Sequence, residues 1–187
     1  MIAAVFLDKD GTLVEDVPYN IDPERVVLAP GAKEGVRALH GAGFPLVVVT
    51  NQSGVARGLF EREALGATRD RLQELLGVTF AGFYDCPHHP DGSVADFAVD
   101  CDCRKPMPGL LTRAAQELGL DLNQSWMVGD ILNDVEAGHR AGCRTILIDN
   151  GNETEWVEGP MRVPDHQVAD MGEAARLILS GEERKAA

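Results

Sequence analysis

The stretch Ile2-Ala3-Ala4-Val5-Phe6-Leu7-Asp8-Lys9-Asp10-Gly11-Thr12 decides the fold. Its first six residues are apolar without alternation, the pattern of a strand buried on both faces, and the run stops at an aspartate. Carboxylates follow too soon for a secretion signal, so the strand reading stands. Working outward, residues 45–50 (PLVVVT), 82–86, 125–129 (SWMVG) and 144–149 (RTILID) read as further strands, with a weaker one near 166–169. Between them, 31–43, 61–76, 133–141 and 171–180 read as helices. Another helix is opened by Pro108, which suits a first turn, and stopped by Gly119 after Leu118. Alternating strands and helices predict a doubly wound α/β domain over residues 1–180, its parallel sheet covered on both faces, with 181–187 as a frayed tail. Such sheets bind ligands beyond the carboxyl ends of their strands, where Asp8, Thr50 and Asp130 all fall.

The 187 residues carry a formal net charge of −13, which argues against a nucleic-acid surface. No apolar run reaches the roughly 20 residues of a membrane helix. The expectation is a cytoplasmic enzyme, monomeric by default, with neither nucleic acid nor membrane as partner. An anionic substrate would be repelled by the overall field, so cations must gather locally; Lys9, Arg57, Arg104 and Lys105 are the candidates.

Asp8 and Asp10 stand two apart just past a strand end, in a loop loosened by Gly11. One carboxylate of such a pair can attack phosphorus; the other can protonate a leaving oxygen and later activate water. Taken alone, the segment reads equally well as a surface turn capped by aspartates. Three further segments decide between the two: Thr50-Asn51-Gln52-Ser53-Gly54, Arg104-Lys105-Pro106 and Gly129-Asp130-Ile131-Leu132-Asn133-Asp134. With Asp8-Lys9-Asp10-Gly11-Thr12 they resemble, in order, the four motifs of the haloacid dehalogenase superfamily of phosphatases. The resemblance runs from near the start to about residue 150 and implies a Rossmann-like doubly wound sheet. It implies Asp8 as nucleophile, Asp10 as general acid/base, and Thr50 and Lys105 on the phosphoryl oxygens. It also implies a catalytic Mg²⁺ on Asp8, Asp130 and the backbone carbonyl of Asp10, hard oxygen ligands of the kind that cation takes. Asp134 is expected to support the metal site or the helix start, and Asn133 to cap the helix.

Cys86-Pro87-His88-His89 and Cys101-Asp102-Cys103 make a C-x-H and C-x-C set. Four such ligands suit a closed, structural Zn²⁺ site on Cys86, His88, Cys101 and Cys103. Residues 87–100 contain few apolar side chains, and a zinc staple would fix them immediately before Arg104 and Lys105. His89 is the spare, and Cys143 reads as a small buried residue.

The stretches TNQSGVARG and CPHHPDGSV…CDCRKPMPGLL resemble the heptose 1,7-bisphosphate 7-phosphatase branch of the superfamily, with histidinol-phosphate phosphatases as its relatives. That resemblance implies a small phosphorylated sugar as substrate. It implies that Asp16, Tyr19, Asn51, Gln52 and Ser53 line the pocket and that Arg104 recognises the distal part of the substrate. Arg57, in a glycine-flanked loop, is a further candidate for a second phosphate. Ile131 departs from the lysine usual after the motif-four aspartate, which bears on substrate and anomer. The intervals between motifs leave no room for a large cap domain. The alternatives are a histidinol-phosphate or broader sugar phosphatase and, from another class, a non-catalytic zinc-stapled binding module.

Overall fold

The structure, a computed structural model, describes residues 1–183. Six strands form one sheet: β1 (Val5–Leu7), β2 (Leu46–Asn51), β3 (Gly82–Cys86), β4 (Trp126–Gly129), β5 (Arg144–Ile148) and β6 (His166–Val168). Their order is β3-β2-β1-β4-β5-β6, and every neighbouring pair is parallel. Five α-helices accompany them: α1 (Ala32–Gly41), α2 (Leu65–Leu76), α3 (Gly109–Leu118), α4 (Leu132–Ala141) and α5 (Met171–Glu183). This is the doubly wound arrangement expected from the strand–helix alternation. The chain winds outward from β1 through β2 to β3, then returns to β4 on the other side of β1. The crevice for a ligand therefore opens between the ends of β1 and β4.

Alternate strand residues serve opposite faces, which is why the runs are apolar throughout. Val5 and Leu7 pack with Leu46, Val48, Trp126 and Val128 under α1, α2 and α5. Phe6 packs with Val47, Val49 and Met127 under α3 and α4. A one-residue slip of β1 would exchange the two sets. Phe6 is fully buried, a contribution of roughly 1.5–3 kcal/mol before chain entropy is counted.

Helix boundaries follow local chemistry. Pro108 stands at the N-cap of α3, and Gly119 takes φ 67° at its C-cap, where its N–H bonds Ala115 O. Residues 62–64 form a 3-10 turn before α2, so the helix expected from 61 is regular only from Leu65. Asn133 does not cap α4. Ile131 holds the N-cap position with extended backbone, and Asp134 Oδ2 accepts the Ile131 N–H at 3.3 Å. Asn133 lies inside the first turn, and its Oδ1 accepts from Arg162 Nη1 at 3.2 Å. Helix α5 continues to Glu183, past the expected end at 180; residues 184–187 of the expected frayed tail lie outside the described residues.

The interval between β1 and α1 contains one 3-10 turn, Pro23–Arg25, and isolated bridges joining Asp10 to Val14 and Val14 to Leu28. The interval 87–108 contains no strand or helix. Neither builds a large cap over the strand ends. No helix among the described residues is long and apolar enough to cross a membrane.

Candidate active site and cysteine–histidine centre

Asp8 follows β1, and its N–H bonds Val128 O of β4 at 3.0 Å, so it is fixed at the crevice. Lys105 arrives from the loop before α3. Its Nζ lies 2.5 Å from Asp8 Oδ1, 2.6 Å from Asp134 Oδ1 and 3.0 Å from Val49 O. The backbone of Lys105 is held in turn by Asn51 at the end of β2. Asn51 Nδ2 donates to Lys105 O at 3.1 Å, and Lys105 N donates to Asn51 Oδ1 at 3.0 Å. Both ends of the Asn51 amide are thus engaged in placing the lysine.

Asp130 ends β4. Its Oδ1 accepts from Thr12 Oγ1 at 3.1 Å and its Oδ2 from Asn152 Nδ2 at 2.7 Å. Gly11 lies directly against it: a Cβ at that position would fall 2.0 Å from Asp130 Oδ2, and the backbone there has φ +87°. Glycine is required on both counts.

Asp8, Asp130 and Asp134 are buried, and each can offer a carboxylate oxygen within 4.8 Å of the others. If all three were ionised beside one ammonium, the cluster would carry a formal charge of −2 in a desolvated place. Burial accordingly drives the Asp8 carboxyl well above its ordinary range, against the pull of Lys105. Burial, with Asp134 alongside, pushes Asp130 up to about 6. A divalent cation with a preference for oxygen would remove the imbalance, so these residues fit Mg²⁺. The carboxylate of Asp134, which the motif comparison left in a supporting place, belongs to this donor set and also binds Lys105.

Asp10 stands at the next position along the cleft. It is ion-paired with Lys9, and Gln52 Nε2 donates both to Asp10 Oδ2 and to Thr50 Oγ1, each at 2.9 Å. Thr50, at the carboxyl end of β2, is buried. A pocket of about 230 Å³ opens beside these groups, lined by Asp10, Asp16, Tyr19, Asn51, Gln52 and Ser53 among others. The structure therefore brings together five of the seven residues expected at the substrate.

Arg57 and Arg104 do not line that pocket. Arg57 is exposed, its Nη2 3.3 Å from His89 Nε2, while Arg104 Nη1 reaches the carbonyl of His88 at 3.4 Å. Partial burial and these two guanidinium groups hold the His89 imidazole below its usual range. The two guanidinium groups flank the neutral His89, Arg57 from the loop after β2 and Arg104 from the loop of residues 87–104, and form a cationic rim there.

Cys86, His88, Cys101 and Cys103 converge under that rim. Cys86 Sγ is 3.6 Å from Cys101 Sγ and 2.9 Å from Cys103 Sγ, and Cys103 Sγ is 3.3 Å from Cys101 Sγ. His88 Nδ1 lies 3.2 Å from Cys103 Sγ and 3.7 Å from Cys86 Sγ. All are too long for a disulfide, and the four cysteines are free. A Zn–S bond of about 2.3 Å gives a tetrahedron with edges of about 3.8 Å, close to the longer of these separations. The donor set fits zinc, with ring Nδ1 as the histidine donor. Without a cation, the hydrogen bond that Cys103 donates to Cys86, together with burial, pushes the Cys103 thiol far up. Cys143 stands apart, buried, its thiol pushed up to about 12 by burial alone.

One segment escaped the reading of the sequence. Residues 150–153 fold back over the crevice after β5. Asn150 Nδ2 donates to Gly11 O at 2.8 Å, Asn152 donates to Asp130, and Glu153 Oε2 accepts the Leu132 N–H at 2.7 Å, capping α4. The Asn-Gly pair after a strand was the available signal, a turn at the ligand-binding edge of the sheet.

Comparison with known proteins agrees with this geometry. The HAD-hydrolase-like family model matches residues 102–174. The D-glycero-beta-D-manno-heptose-1,7-bisphosphate 7-phosphatase of Yersinia pestis is 43% identical over 161 residues, covering 84% of this chain and 86% of that one. The enzyme of the same name from Photorhabdus laumondii is 41% identical over 182 residues, covering 95% and 97%. Among solved structures, the D,D-heptose 1,7-bisphosphate phosphatase of B. bronchiseptica, complexed with magnesium and phosphate, superposes with a TM-score of 0.77 at 29% identity, covering 96% of this chain and 99% of that one. With relatives above 40% identity that cover more than four-fifths of its length, the chain belongs to the HAD-like hydrolase family, and it is a phosphatase.

Proposed function

We propose that this phosphatase removes the C7 phosphate of D-glycero-D-manno-heptose 1,7-bisphosphate, with Mg²⁺ bound, through a phosphoryl group carried on Asp8, as a step in making nucleotide-activated heptose. The observation that carries the mechanism is the convergence of Asp8, Lys105, Asp130 and Asp134 at the β1–β4 crevice, with Asp10 facing the adjoining pocket. The substrate reading rests on the heptose-bisphosphate relatives that span most of the chain.

An oxygen of Asp8 attacks phosphorus while Asp10 gives its proton to the leaving sugar oxygen. Asp10 then takes a proton from water, whose oxygen attacks the aspartyl-phosphate and releases inorganic phosphate. Lys105 and Thr50 hold the phosphoryl oxygens, and Gln52 and Lys9 fix the orientation of Asp10. Asp8, Asp130 and the Asp10 carbonyl would hold Mg²⁺, with Asp134 close enough to share in it. When bound, the cation supplies neutralisation of charge on the transferring group. Asp16, Tyr19, Asn51, Gln52 and Ser53 contact the sugar, while Arg57 and Arg104 meet a distal phosphate. Cys86, His88, Cys101 and Cys103 would hold zinc, which would tie down the loop that carries Arg104.

The test is phosphate release, with Mg²⁺, from both anomers of the heptose bisphosphate, histidinol phosphate and simple hexose phosphates. A kcat/KM preference of at least a hundredfold for one heptose anomer is expected; the β names of the curated relatives favour that one. Comparable rates across the panel would overturn the substrate assignment and leave the broader sugar-phosphatase reading. No release from any of them would count against the mechanism as well.

A further inference from the structure

We infer that Asn152 is a positioning residue that sets the orientation of the Asp130 carboxylate for Mg²⁺, an inference that rests on the metal reading given above. Asp130 has two side-chain donors, one on each oxygen: Thr12 Oγ1 on Oδ1 at 3.1 Å and Asn152 Nδ2 on Oδ2 at 2.7 Å. Two donors on opposite oxygens stop rotation about the Cβ–Cγ bond and leave a lone pair on each oxygen for the cation. Thr12 belongs to the loop that carries Asp8 and Asp10. Asn152 comes from a separate segment, across the crevice.

That segment is itself located with care. Gly151 takes φ +90°, and Asn152 N donates to Asn150 Oδ1 at 3.2 Å. Asn150 Nδ2 anchors the turn to Gly11 O at 2.8 Å, and Glu153 Oε2 anchors its far side to Leu132 N at 2.7 Å. The packing closes on Gly11, where a Cβ would meet Asp130 Oδ2 at 2.0 Å and Asn152 Nδ2 at 2.6 Å. No residue larger than glycine fits against the hydrogen-bonded amide and carboxylate. The turn after β5 thus completes the surroundings of Asp130, and groups that orient a metal-binding carboxylate commonly matter tenfold to a hundredfold in metal affinity.

The experiment is titration calorimetry of Mg²⁺ into the zinc-loaded chain without substrate, comparing the parent with Asn152→Ala and Asn150→Ala. Asn152→Ala is expected to raise the Mg²⁺ Kd about tenfold or more, with the magnesium-free melting temperature kept within about 2 °C because the residue is exposed. Asn150→Ala removes one anchor of the turn but keeps the Glu153 anchor and the donor to Asp130, and is expected to change the Kd less than threefold. A Kd for Asn152→Ala within twofold of the parent would overturn the inference. Equal weakening in both variants, with matching losses of melting temperature, would overturn it too, by assigning the effect to general anchoring of the turn. If the parent itself binds no Mg²⁺, this inference falls together with the metal reading; if only the variant result fails, the metal reading stands.

Discussion

Replacing Asp130 by asparagine should stabilise the magnesium-free protein at neutral pH while removing its response to Mg²⁺. Asp130 is almost fully buried and lies among Asp8, Asp134 and Lys105. Burial first, then Asp134, raise its pKa from about 3.8 to about 6. The folded protein therefore holds this proton more tightly than the unfolded chain does. The sign follows: stability is present below the unfolded pKa and is lost as pH rises through the folded one. A shift of roughly two units corresponds to about 3 kcal/mol at pH well above 6. Asparagine carries no such charge, and the exposed Asn152 amide can turn to present its oxygen to the new Nδ2. Without Mg²⁺ at pH 7.5, Asp130→Asn should exceed the parent by about 1–3 kcal/mol, the lower bound allowing for its coupling to Asp134. At pH 4 the two should agree. Saturating Mg²⁺ should then reverse the order, because only the parent gains binding free energy from the cation. Urea unfolding followed by tryptophan fluorescence from pH 4 to 8, in buffer stripped of magnesium, measures the difference. Both proteins keep the same cysteine–histidine loop, so zinc largely cancels in the comparison. A variant less stable than the parent at pH 7.5 without Mg²⁺, or a difference flat across pH, would refute the reasoning.

Lys105→Met leaves Asp8 and Asp134 buried without their cation, and a loss of about 3–5 kcal/mol in magnesium-free urea unfolding is expected at pH 7.5. Its ammonium stays charged far above neutral pH, so acidification to pH 4 should shrink the loss only by protonating the carboxylates; a loss unchanged at pH 4 would contradict this. Cys103→Ser removes the sulfur that touches Cys86, Cys101 and His88, and elemental analysis should fall from about one zinc per chain to well below that. Full zinc in that variant would place the metal elsewhere. Asp8→Asn should give no acid-stable covalent phosphate and at least about a thousandfold lower kcat, whereas parent-like turnover would remove Asp8 from the chemistry.

Much of the fold was legible because its determinants are local. Strands buried on both faces must be apolar at every position, as Val5-Phe6-Leu7 and Leu46-Val47-Val48-Val49 are, and helices covering them must interrupt those runs. Gly119 and Pro108 mark a helix by their own backbone preferences. Asp8, Thr50 and Asp130 could be placed at one edge because each lies within a residue of the carboxyl end of a strand in a parallel sheet. The Cys86–His88 and Cys101–Cys103 pairs were legible because two donors two residues apart in a loop can turn to one ion, a spacing visible in the sequence.

The sequence by itself thus determined the layered architecture, the edge of the sheet at which the candidate site lies and most of the side chains that meet there. Tertiary structure alone decided how those side chains are divided and held. It set Lys105 between two carboxylates, engaged both ends of Asn51 in placing it, and made Asp134, not Asn133, complete the start of α4. It separated Arg57 and Arg104 from the pocket of Asp16 and Tyr19, and it brought Asn152 onto Asp130. The physical reason is range. Periodicity and turn preference act over a few residues, whereas a hydrogen bond between distant segments requires loops placed to within a fraction of an ångström, and only the packed sheet and helices beneath them supply that placement.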